Sequence, residues 1–581
     1  MATIIQGFAR SFGFPSDFFE NEAPSTVTSF AMPIFWVLLG LYLFSECLFY
    51  VYFHTHLIHH ANALPTDFPT AKIYQDYPEP ADRVKLLRRI LQRLCRKAQM
   101  RNQTVQQVIS EFILAWYDDT TTSPTSSNFS YQKSRSTSIS LASSDLTQQM
   151  ENSNKSSSVE SKPLLHAVSN SSSEASSLAG SEASSSLSLN GELDVDDRSS
   201  VPQSQESSEQ KHASWTIPGL HHKSVYDSLA WAFFAKDSKH LTMAEQVALQ
   251  DCFACLQQET GLVFASQSNH YQPRRLSLEP VRALHRPWIV YALIGVAQWA
   301  ARFLILPALG FVRVTADSVP LVAWHRPRRR NRSNDNSNNS HARLFFHGIA
   351  PSGILPYLPM LQAVWGKTSD DSDILLFENP SVSCQFHALP QFHVTSEVET
   401  VQGIREILQH AQLAHAKLTL MGHSFGSCPI TWILRQQRQY AYFDIEHVIL
   451  LDPVTILLSE PTVMSRFLYS DKDAIIRFVV ASELFTEFYL RRHFCWYNSE
   501  LWLEDYQDLS WTIVLSGCDE IVPSPVVQEH VQSLSLPKCE LVYWPHAKHA
   551  NCVMSPFRWK LMQDFLPQST ANCNPLRTKQ D

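Results

Sequence analysis

The sequence has little positive charge to spare. Of 581 residues, 47 are Lys or Arg against 55 Asp or Glu, a net charge of −8. A surface that holds a phosphate backbone needs surplus cations, so this balance argues against nucleic acid as the main partner. Charge of either sign is sparse, at 18% of residues, while 44% are hydrophobic. That suits a globular protein with some membrane contact. Regular cysteine spacing is also missing. Cys252 and Cys255 form a C-x-x-C pair within DCFACLQQE, but no second pair accompanies them, and a structural zinc needs about four ligands. The 11 cysteines therefore read as free thiols in a reducing compartment, with no metal site. Arg10 is the only basic residue before the first long apolar run. With so late a start and so long a run, a cleaved signal peptide fits poorly.

That run, residues 31–53, reads AMPIFWVLLGLYLFSECLFYVYF, with Glu46 as its one charge. At about 1.5 Å per residue it is long enough to cross a hydrocarbon core of about 30 Å. We expect a transmembrane or signal-anchor helix there, after a tail over 1–30. Residues 54–119 form a helical, basic amphipathic region. Val84, Leu87, Leu91 and Leu94 recur at helical spacing among Arg83, Lys85, Arg88, Arg89, Arg93, Arg96 and Lys97. Such a helix either lies on an anionic leaflet or presents a solvated basic face. The cluster also puts the downstream chain on the cytosolic side, for a membrane protein of one or two passes. HTHLIHH contains His56, His59 and His60 at a spacing used by membrane di-iron enzymes. The further boxes and spans those enzymes need are missing, so an interfacial histidine cluster is the expectation.

Residues 120–212 are dense in Ser and almost without aromatics. They cannot bury enough apolar surface to offset chain entropy, and disorder is expected. Residues 213–309 return to helical patterns and end in an apolar helix, PWIVYALIGVAQWAARFLILPALGF over 287–311. Arg302 within it would cost about 2.5–3.5 kcal/mol at a bilayer centre. That favours a monotopic or buried helix over a second span.

From residue 310 to 566, short apolar runs alternate with helical patterns. PLVAWHR, RLFFHG, DILLFEN, KLTLMG, HVILLDP, WTIVLSG and CELVYWP are candidate strands. The alternation predicts an α/β domain with a mostly parallel sheet covered on both faces. PRRRNRSNDNSNNSHAR reads as a polar insertion between two early strands. One motif carries chemistry. KLTLMG runs into Gly422-His423-Ser424-Phe425-Gly426, and a helix follows. G-x-S-x-G between a strand and a helix places the serine on a tight, strained turn with its hydroxyl exposed. Gly422 and Gly426 form this nucleophile elbow, where side chains would clash. The new helix aims its N-terminal dipole at developing negative charge.

A serine hydroxyl needs a base, and the base needs an acid. Asp519 follows WTIVLSG and His549 follows CELVYWP, so the chain order Ser, Asp, His is met. Asp452, after HVILLDP, remains an alternative acid, and His546 an alternative base. The oxyanion donors are expected from the amides of Phe425 and of Ile349, the latter in HGIAPSG after RLFFHG. Gly348 and Gly353 let that loop close on the substrate.

Through HGIAPSG, GHSFGS, GCDEIVP and AKHA, in that order, residues 310–566 resemble the α/β-hydrolase superfamily, nearest its esterase and lipase-like members. The resemblance implies an eight-stranded sheet flanked by helices, acyl-enzyme chemistry and no cofactor. An aromatic-rich stretch at about 454–510 is expected as a helical cap that builds an apolar acyl pocket. Residues 567–581 form a tail. Beside a membrane anchor, a lipid or other ester is the expected substrate; protein partners stay unassigned. An acyltransferase would use the same parts, and a catalytically silent, membrane-tethered interaction protein is the alternative outside enzymology.

Overall fold

The computed structural model describes residues 26–62, 80–119, 214–264, 270–328, 340–366, 372–384, 394–470 and 476–565. The Ser-rich segment, the C-terminal tail, residues 1–25 of the N-terminal tail and most of the polar insertion lie outside the described residues; residues 26–30, expected as tail, are helical.

Eight strands form one sheet: β1 (Val312–Thr315), β2 (Val322–Arg326), β3 (His341–Phe346), β4 (Asp373–Phe377), β5 (Lys417–His423), β6 (Asp444–Leu451), β7 (Ser510–Ser516) and β8 (Cys539–Trp544). Their spatial order is β1-β2-β4-β3-β5-β6-β7-β8. β2 runs antiparallel to both neighbours and every other pair is parallel. This mostly parallel sheet with flanking helices fits the α/β-hydrolase fold. β1 is the strand that sequence patterning misses. It is four residues long, carries Arg313, and none of its side chains is buried, so it shows no apolar run.

Side chains of the central strands alternate between two cores, as strand geometry requires. Leu344, Phe346, Leu420, Leu450 and Ile513 enter one apolar cluster. Phe345, Met421, Ile449, Val514 and Val542 enter another on the opposite face. Both faces are covered, which is why these strands read as near-continuous apolar runs.

Helices N-terminal to the sheet pack into the same body. α1 (Thr26–Tyr52) continues through a π-helical turn, Phe53–Leu57, into Ile58–Asn62. Phe53, Leu57 and Ala61 are buried against Leu484, Phe485 and Phe488. α2 (Pro80–Met100), α3 (Val105–Leu114), α4 (His222–Phe234) and α5 (Met243–Thr260) build a further cluster. The basic side chains of α2 face acids contributed by the later sequence, neither a leaflet nor bulk solvent alone. Arg89 grips Asp505 with two bonds of 2.7 and 2.8 Å, Arg93 meets Glu500 at 2.7 Å, and Lys97 meets Glu460 at 2.9 Å. Cys252 and Cys255 are buried in this cluster, where burial pushes both thiols up. His56, His59 and His60 are exposed.

α6 (Trp288–Ala300) extends through a π-helical turn to Ala308. One face docks on the body. There Arg302 reaches Glu378, just past β4, with bonds of 2.6 and 3.1 Å, which answers the puzzle of a cation in an apolar helix. The segments Trp36–Asn62 and Trp288–Ala308 are long and apolar enough to cross a membrane by length and composition. The longer of the remaining helices are α7 (Leu358–Trp365), α8 (Glu397–His410), α9 (Ser427–Tyr440), α10 (Thr462–Leu468), α11 (Leu484–Arg492), α12 (Ser524–Ser533) and α13 (Pro556–Phe565). α11 lies in the stretch expected as a cap, and every one of its residues is buried. Tyr489 and Leu490 join the main core while Leu484, Phe485 and Phe488 face the N-terminal helices, so this part of the stretch serves as core.

Candidate active site

β5 ends in His423, and the chain turns at Ser424 into a single 3₁₀ turn, Ser424–Gly426, before α9. Ser424 has φ of +52°. A non-glycine residue held there costs about 1–3 kcal/mol, so the surroundings must impose it. The two glycines show how. A Cβ on Gly422 would lie 2.5 Å from the Gly426 carbonyl oxygen, and one on Gly426 would lie 2.1 Å from that of Phe346. Only bare backbone lets β3, β5 and α9 approach this closely.

Three of the residues singled out from sequence converge. Ser424 Oγ is 3.0 Å from His549 Nε2, and His549 Nδ1 is 2.7 Å from Asp519 Oδ2. Asp519 lies beyond β7, and its other oxygen accepts the amides of Ile521 and Val522, each at 2.7 Å. Both carboxylate oxygens are thus committed, and the side chain is fully buried. Burial pulls the His549 pKa down, but the charge and hydrogen bond of Asp519, then Asp452 and Glu520, push it up. The net shift is upward. The amide of His549 donates to Glu520 Oε2 at 3.1 Å, which ties the histidine loop to the acid loop.

The two alternatives make other contacts. His546 is exposed, away from these contacts. Asp452 is fully buried at the end of β6 with φ of +44°. Its oxygens accept the Ser516 amide at 2.7 Å and the Ser516 hydroxyl at 2.9 Å. Burial, then the nearby charge of Asp519, pushes its carboxyl up to about 6.

The loop after β3 lies directly on the serine. A Cβ on Gly348 would be 3.0 Å from Ser424 Cβ. The Gly348 amide is already taken, donating to Tyr357 Oη at 3.0 Å, and that hydroxyl in turn meets His423 Nδ1 at 3.0 Å. Burial, then the neighbouring His549 and His347, holds His423 well below the usual imidazole range, so Tyr357 donates to a neutral ring. The next amide, Ile349, has no acceptor among the described residues. Phe425 is the second residue of its helical turn, where N–H groups lack intrahelical partners. His347 is buried and structural: Nδ1 meets the Gly348 carbonyl at 2.7 Å, and Nε2 accepts the Asn379 amide at 3.0 Å. Gly353, at φ of +63°, takes the left-handed turn that closes the loop.

Sequence reasoning does not find Tyr357, Ser516 or Glu520. Nor does it find Arg466, which donates to the carbonyls of Asp519 and Val522 at 3.3 and 3.2 Å. Only Glu520 sits in a quoted motif, GCDEIVP, and nothing in that motif marks it as a partner of the His549 amide.

No protein-family model matches the chain, and no curated protein matches it. Solved structures do. An esterase from Thermogutta terrifontis is 13% identical over 44% of this chain and 97% of its own, with a TM-score of 0.31. A bacterial membrane phospholipase A is 13% identical over 48% and 93%, with a TM-score of 0.33. An esterase from Pyrobaculum calidifontis is 12% identical over 48% and 91%, also with 0.33.

Proposed function

We propose that the protein is a membrane-associated serine hydrolase that cleaves ester bonds of lipids, with Ser424 as nucleophile, His549 as base and Asp519 as orienting acid. The observation that carries this reading is the continuous relay from Ser424 Oγ through His549 to Asp519, at 3.0 and 2.7 Å. Ser424 Oγ attacks the ester carbonyl carbon and its proton passes to His549 Nε2. The carbonyl oxygen becomes an oxyanion, held by the amides of Ile349 and Phe425; losing one such donor costs about 2.7–4 kcal/mol. The ester C–O bond then breaks, and His549 gives its proton to the departing alcohol. Water attacks the acyl-enzyme, passes a proton to His549, and releases the acid as Ser424 is restored.

Membrane association is supported by α1. Trp36, Val37, Leu38, Leu41, Leu43 and Phe44 are all exposed. At 3.6 residues per turn they spread over roughly two-thirds of the helix circumference, wider than the stripe a helix buries on a core, and an apolar medium suits such a surface. The basic residues of α2, downstream of that span, support a cytosolic side for the catalytic body.

The test is labelling of the full-length protein in detergent with a fluorophosphonate probe. Wild type should label, and Ser424→Ala and His549→Ala should not. A folded wild-type protein that stays unlabelled in both detergent and lipid overturns the reading.

A further inference from the structure

α1 and α6 cross where Trp288 Nε1 donates to Ser45 Oγ at 3.0 Å and the Trp288 amide donates to Glu46 at 3.0 Å. Beyond that crossing they enclose a cleft of about 440 Å³. Its walls are Phe49, Trp288, Tyr291 and Gly295; its floor is Gln298 and Cys384. The floor is tied to the candidate active site. Gln298 Nε2 donates to the carbonyl of Pro351 at 2.8 Å and to that of Cys384 at 2.9 Å. Pro351 stands two residues past Ile349, in the loop that rests on Ser424. The Cys384 amide donates back to the Pro351 carbonyl at 3.0 Å. α6 is therefore attached to loops at the carboxyl ends of β3 and β4, the side of the sheet on which Ser424 lies, and α1 is attached to α6.

The cleft opens between two apolar surfaces. Leu293, Val296 and Phe303 are exposed on α6, as are Leu41, Phe44 and Leu48 on α1. A folded partner covers one face of a helix, whereas the exposed residues of α1 spread over roughly two-thirds of its circumference. A fluid apolar medium meets that demand, and its molecules are chains narrow enough to enter a cleft between two helices. We propose that the cleft between α1 and α6 binds an acyl chain of a bilayer lipid and presents that lipid's ester to the loop carrying Gly348 and Ile349. This rests on the lipid-esterase reading for its second half; the chain-binding half stands on the cleft alone.

Gly295 offers the means of testing it. A Cβ there meets nothing within 4 Å, so Gly295→Phe fills the cleft without disturbing the fold, and it removes a helix-weakening glycine. Leu293→Phe, on the outward face, is the control. Each full-length protein is placed in phosphatidylcholine vesicles doped with a phosphatidylcholine bearing a diazirine on one acyl chain, irradiated, and mapped by peptide mass spectrometry. Wild type and Leu293→Phe should cross-link at Phe49, Tyr291 and Cys384. Excluding even two methylenes should lower that cross-linking about tenfold in Gly295→Phe. Its turnover of long-chain esters should fall while turnover of a short soluble ester stays. Cross-links spread over outward residues, or cleft cross-links untouched by Gly295→Phe, overturn the proposal. Ser424→Ala keeps the two readings apart: it should retain cleft cross-linking and lose fluorophosphonate labelling. If wild type cross-links in the cleft but never labels, the esterase reading fails and the chain site survives.

Discussion

His549 stands beside two carboxylates, and the geometry gives them different duties. A ring nitrogen of His549 and oxygens of Asp519 and Asp452 lie within 4.8 Å of one another. Asp519 holds the ring by a direct bond; Asp452 spends its oxygens on Ser516. His549 is a base only when neutral, and its pKa is raised. Activity should therefore fall as pH drops through a value above that of a free imidazole. Asp452→Asn removes a negative charge that contributes to the rise, so the acid limb of kcat/KM on a soluble ester should move to lower pH. Asp519→Asn removes the bond that fixes the ring, and kcat should fall on the order of 10⁴-fold. A reversal of these two outcomes would make Asp452 the acid. The three converging side chains were legible because each follows an apolar strand at the site end of the sheet. Tyr357, Ser516 and Glu520 were not, because their roles exist only as contacts between distant segments.

Helix α2 shows how a correct element can acquire the wrong partner when read from sequence. Its apolar spacing is real: Leu87, Leu91 and Leu94 are buried. Its cations, however, meet acids some 400 residues downstream, and no local pattern encodes that pairing. The consequence is a contrast within one helix. Arg93 is 4% exposed and its partner Glu500 is fully buried. Arg93 Nη2 also donates to Ser459 Oγ, and Ser459 Oγ donates to Glu500 at 2.9 Å. Arg93→Ala leaves that carboxylate without its cation, and should cost about 3–5 kcal/mol. Arg88 pairs with Glu259 at the surface, so Arg88→Ala should leave stability almost unchanged. Denaturant unfolding of the two variants checks the contrast, and equal losses would mean that α2 is held by its apolar face alone.

At the scale of the whole molecule, the N-terminal helices and the sheet domain are built as one. From sequence, residues 310–566 look separable, since the motifs that carry the proposed chemistry all lie within them. The packing says otherwise. Arg492, fully buried in the catalytic part, donates to the carbonyls of Ala61, Ser277 and Glu279 at 3.2, 2.8 and 2.9 Å. The Val281 amide donates to Asn62 Oδ1 at 2.7 Å. Two truncations separate anchoring from folding. Removing residues 1–44 takes away most of the exposed part of α1 and leaves Phe53, Leu57 and Ala61 in place. That protein should fold, label with fluorophosphonate, and bind phosphatidylcholine vesicles more weakly. Removing residues 1–62 also strips Phe53 and Leu57 from the core, each contributing about 1.5–3 kcal/mol, and leaves the Arg492 guanidinium one acceptor short. That protein should melt at lower temperature or aggregate, and labelling should fall with the folded fraction. If instead it melts like the shorter truncation, the N-terminal helices dock on the body without stabilising it, and the catalytic part folds by itself.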